Sequence, residues 1–133
     1  MGLECLIVTC DTTLLGHVQT SLGTYGASLH LRQDSASAIE FVSRRHLDGL
    51  VIDCDDVSGG SRALPGLRRS SANKQTPILA VVNSLTTVEG ALDLGADFVL
   101  SKPIQQTRLR GVLARIIREF GDKRSLLCYK HVD

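Results

Sequence analysis

Five short apolar runs, each followed by a segment with helical spacing, set the most severe constraint on this chain of 133 residues. The alternation calls for a parallel sheet, because each return to the same sheet edge needs a crossover long enough to hold a helix. The runs are Leu6-Ile7-Val8, Ala27 to Leu31, Leu50-Val51-Ile52, Pro77 to Val82 and Phe98-Val99-Leu100. The third and fourth are continuously apolar, as expected of central strands covered on both faces. Charged and polar neighbours around the second run place it at a sheet edge.

The intervening segments carry helix signals. Asp11 or Thr12 is placed to cap a first helix bearing Leu14, Leu15, Val18 and Leu22, and Asp34 to cap a second bearing Ile39, Phe41 and Val42. Pro65 suits the first turn of a short third helix running to Ser70 or Ser71. A fourth, Thr86 to Leu94, is closed by Gly95. The last, about Gln105 to Phe120, aligns Leu109, Val112, Leu113, Ile116, Ile117 and Phe120 on one stripe. Gly121 is expected to end it. The sequence therefore predicts one α/β domain over residues 1–120. Residues 121–133 then form a tail, either an ordered extension or a linker toward an output domain.

Composition narrows the classes of function. With 15 Lys and Arg against 14 Asp and Glu, the net charge of +1 offers no overall field for nucleic acid or membrane surfaces. No apolar run reaches membrane-spanning length, and the first residues lack the basic and apolar regions of a secretory signal, so the expected location is the cytoplasm. Cys5, Cys10, Cys54 and Cys128 show no paired spacing and read as free thiols. Cys10 and Cys54 follow strands that would be neighbours, which leaves a redox or small-ligand sensor as an alternative. Neither a GxGxxG nor a Walker-type glycine loop is present.

Two motifs carry the chemistry. Asp48-Gly49-Leu50-Val51-Ile52-Asp53 ends a buried strand in an aspartate, and Gly95 to Ile104, GADFVLSKPI, places Lys102 just past another strand and follows it with Pro103. Together they resemble the receiver domain of bacterial two-component response regulators, over roughly Leu3 to Phe120. The resemblance implies a flavodoxin-like, three-layer, doubly wound fold. Its five-stranded parallel sheet would have the order 2-1-3-4-5, with a crevice beyond the carboxyl ends of the strands. It also implies Asp53 as phospho-acceptor, Lys102 as its pairing cation, and a cis bond before Pro103. From the residues alone, Asp53 can equally be a structural anion held by Lys102.

Other positions depart from the family pattern. Its adjacent acidic pair after the first strand is Thr9 and Cys10 here, and the hydroxyl ending strand four and the aromatic on strand five are Val82 and Val99. Mg²⁺, the metal that the resemblance implies, wants oxygen ligands, and a thiol is a poor one. The carboxylates nearest to serve are Asp11, Asp53 and Asp55. The combination points to an atypical receiver, or pseudo-receiver, that is not an enzyme, holds no cofactor, and works through a histidine kinase or an output domain as protein partner. The alternative is a phosphorelay receiver that accepts a phosphoryl group on Asp53. Glu89, Asp93 and Asp97 oppose Arg108, Arg110, Arg115 and Arg118 across the last two units, a charge pattern suited to a homodimer.

Overall fold

A computed structural model of the chain describes residues 2–54, 63–69, 71–83 and 88–125. Along the chain run β1 (Glu4–Val8), α1 (Thr12–Gly23), β2 (Ser28–Arg32), α2 (Ser35–Arg44) and β3 (Gly49–Asp53). These are followed by α3 (Ala63–Arg69), a 3₁₀ turn (Ser71–Asn73), β4 (Ile78–Val82), α4 (Val88–Asp93), β5 (Phe98–Ser101) and α5 (Gln106–Ser125). The five strands form one parallel sheet in the order β2-β1-β3-β4-β5.

Alternate residues of each strand feed opposite layers, as the pleat requires. Leu6, Val8, Leu50, Ile52, Ile78, Ala80 and Val82 pack with Ala38 and Val42 of α2, Leu64 and Leu67 of α3 and Ala91 of α4. Cys5, Ile7, Val51, Leu79, Val81 and Leu100 pack with Leu14, Val18 and Leu22 of α1 and Leu109, Leu113 and Ile116 of α5. The result is a three-layer α/β/α sandwich, and β2, partly exposed, forms one of its edges.

Local signals act where the sequence places them. The Asp11 carboxylate accepts from the amides of Thr13 and Leu14, and that of Asp34 from Ser37, so each caps its helix. Gly95 adopts φ +121°, a conformation that side chains disfavour, and lets the chain turn out of α4 toward β5. Several boundaries differ from expectation, most by one or two residues. The second strand is displaced by one residue, to Ser28–Arg32. The last helix does not stop at Gly121 but continues to Ser125. One interior glycine costs only about 1 kcal/mol relative to alanine, too little to end a long helix, and Gly111 lies in the same helix.

Candidate functional site

Strand register assembles the site. Val8 pairs with Ile52, so Thr9 and Asp53 emerge side by side at the carboxyl ends of β1 and β3. Val82 pairs with Ser101, and the amide of Lys102 donates to the Val82 carbonyl at 2.7 Å, which fixes the lysine backbone beyond β5. The connections from β1 and β3 leave the sheet in opposite directions, β1 toward β2 and β3 toward β4. This is the switch point at which open α/β sheets form a crevice.

Asp53 is completely buried there. Its Oδ2 accepts from Thr9 Oγ1 at 2.8 Å and from Lys102 Nζ at 3.0 Å. A second carboxylate approaches the same ammonium: Asp11 Oδ2 lies 3.4 Å from Lys102 Nζ, while Asp11 Oδ1 caps α1. Thr9 Oγ1 also accepts from the Asp11 amide at 2.9 Å. Burial works to raise the pKa of Asp11, but the amides of Leu14 and Thr13 and the charge of Lys102 outweigh it and hold the carboxyl below its usual range. The Lys102–Pro103 bond is cis.

Val82 is buried and Val99 packs against the same apolar layer, on the side of α2, α3 and α4. Neither supplies a polar atom to the crevice. The two cysteines face different surroundings: Cys10 is exposed with Sγ toward the Gln33 carbonyl, and Cys54 is buried in the core layer. Burial pushes the thiol of Cys5 up to about 11. Cys128 and Asp55 lie outside the described residues.

Among the described residues the donor set is a poor one for Mg²⁺. Such an ion needs near-octahedral oxygen ligation. Here Oδ2 of Asp53 is taken by Thr9 and Lys102, Asp11 is divided between α1 and Lys102, and Cys10 offers sulfur directed elsewhere. Among the described residues, no three His, Cys, Asp or Glu side chains gather to hold a metal ion.

No family model matches the chain. Response regulator MprA of Mycobacterium sp. strain KMS is 25% identical over 119 residues, which are 89% of this chain and 52% of that protein. The chain spans about half the length of the curated relatives it matches. Among solved structures, the receiver domain of sensor histidine kinase PA1611 from Pseudomonas aeruginosa PAO1 superposes with a TM-score of 0.74 at 22% identity, covering 91% of this chain and 99% of that one. That structure has a magnesium ion coordinated in its active site cleft. The chemotaxis response regulator CheY4 of Vibrio cholerae gives a TM-score of 0.75 at 23% identity, over 87% of this chain and 99% of that one.

The chain has the fold of these receiver domains, and its sequence is similar to that of a response regulator. Within this receiver-like fold the structure brings together Asp53, Lys102, Thr9 and Asp11, and it leaves Cys10 outside the cluster. Asp97, expected on a face shared with the arginines of α5, is exposed and accepts from Arg68 Nη2 and from the Ile78 amide, at 2.8 and 2.9 Å. Arg115 lies over the Phe98 ring, Asp93, Arg108 and Arg118 are exposed, and the side chain of Glu89 is outside the described residues. The double role of Thr9 was not foreseen from sequence. A hydroxyl-bearing residue two positions before a helix-capping aspartate was the signal available.

Proposed function

We propose that the chain is an atypical receiver, a regulatory or protein-interaction module that does not carry out ordinary Mg²⁺-dependent phosphorylation. The observation that carries this reading is the surroundings of Asp53: a threonine hydroxyl and a lysine ammonium converge on one carboxylate oxygen, with Thr9 and Cys10 where the family has its acidic pair. Phosphoryl transfer to a carboxylate gathers negative oxygens and depends mostly on positioned positive charge. Val82 adds no hydroxyl for those oxygens. The partners on this reading are a histidine kinase or an output domain. A homodimer through α4, β5 and α5 would use Asp93, Arg108, Arg115 and Arg118, with Asp97 already engaged by Arg68. Among the described residues no helix is long and apolar enough to cross a membrane, which accords with a cytoplasmic place of action.

The 3.0 Å contact between Asp53 and Lys102 favours a second reading, a phosphorelay receiver with Asp53 as acceptor. Intact mass after incubation with acetyl phosphate and Mg²⁺ separates the two. The atypical reading expects no lasting adduct. A stoichiometric phosphoryl adduct that is absent from Asp53→Asn would establish the phosphorelay reading instead.

A further inference from the structure

Four residues of the crevice close a ring. Thr9 Oγ1 donates to Asp53 Oδ2, Lys102 Nζ contacts Asp53 Oδ2 and Asp11 Oδ2, and the Asp11 amide donates back to Thr9 Oγ1. Resting on the atypical reading, we propose that Lys102 is the resident cation of this crevice, a covalently attached ammonium that balances Asp11 and Asp53 and thereby excludes divalent metal.

The sequence change and the geometry account for each other. With threonine at the first position of the usual acidic pair, the crevice loses a carboxylate beside Asp53 and gains a donor to it. The carboxylate reappears at Asp11, where the amides of Thr13 and Leu14 engage Oδ1 while Oδ2 faces the ammonium at 3.4 Å. The bond from its own amide to the Val82 carbonyl fixes the Lys102 main chain, so the ammonium reaches the crevice from a set position beyond β5. A divalent ion bound to these carboxylates would have to displace the ammonium or sit within a few ångströms of it, where like charges repel strongly in a poorly solvated site. The ring also ties the cap of α1 to the ends of β3 and β5, so the charge of the crevice is built into the fold.

The test is a Mn²⁺ titration of the full chain, read by melting temperature and by paramagnetic broadening of amides around residues 9–14. Wild type should show neither a shift nor saturable broadening. Lys102→Ala and Lys102→Gln should bind Mn²⁺ at least about tenfold more tightly, because the repelling charge is gone and two carboxylates are released. Adding Asp11→Asn should remove the gain. Variants no tighter than wild type, or a gain that survives Asp11→Asn, would overturn the proposal. If a variant is unfolded without metal, recovery of its dispersed amide spectrum with Mn²⁺ supports the proposal and failure to recover overturns it. A phosphoryl adduct on wild type would refute the atypical reading while leaving this comparison intact.

Discussion

Lys102 Nζ lies 3.0 Å from Asp53 Oδ2 and so joins the end of β5 to the end of β3 across β4. The aspartate is fully buried and one-fifth of the lysine side chain is exposed, so removing the ammonium leaves a desolvated carboxylate with diminished compensation. Lys102→Met is expected to cost about 3–5 kcal/mol. Arg118→Met, at an exposed position of α5, should change stability by less than about 0.5 kcal/mol. Urea unfolding of both variants measures the contrast, and equal small losses would show that Asp53 draws little support from Lys102.

A second prediction concerns Asn73, which is fully buried and joins two loops. Its Oδ1 accepts from the Leu47 amide and from Thr76 Oγ1, and its Nδ2 donates to the carbonyls of Val42 and Arg45. Asn73→Asp keeps the shape but turns two donated bonds into oxygen facing oxygen. The expected loss is at least about 3 kcal/mol, since each unmet buried polar group costs about 1–3. Thermal unfolding checks it, and a melting temperature equal to that of wild type would mean that the loops are held by other contacts.

Asn73 also shows where sequence reading stops. The strands and their order were legible, because runs such as Leu50-Val51-Ile52 allow only a sheet covered on both faces, and the family resemblance supplied the topology. Asp11, Asp34 and Gly95 announced helix ends through local chemistry that acts within three or four residues. Asn73 lies between the expected third helix and fourth strand, where no local pattern marks it, and its partners are up to 31 residues away in sequence. Arg68 is similar: its guanidinium holds the carbonyls of Lys74, Thr76 and Gly95 as well as Asp97. That contact gives the exposed Asp97 a partner within the same chain. In the crevice, Asp53 and Lys102 were legible as a pair, but the hydroxyl of Thr9 gains its role only when β1 and β3 are in register.

The last prediction follows Asp11, whose carboxyl is held below the ordinary aspartate range. Burial opposes this, and the amides of Leu14 and Thr13 together with Lys102 prevail. A carboxyl with a lower pKa in the folded than in the unfolded state contributes stability that is complete above the unfolded value of about 3.9 and is lost as pH falls through the folded value. Asp11→Asn keeps a competent helix cap but has no charge to titrate, whereas Asp11→Ala also loses the cap, at about 1 kcal/mol. Measured by urea unfolding from about pH 6 to pH 2, the asparagine variant should lose stability less steeply than wild type below about pH 4. The alanine variant should share that shallower slope and lie lower throughout. Parallel curves for wild type and Asp11→Asn would mean that the amides and Lys102 do not favour the ionised form, and the ring through Thr9, Asp53 and Lys102 would then lack its third charged member.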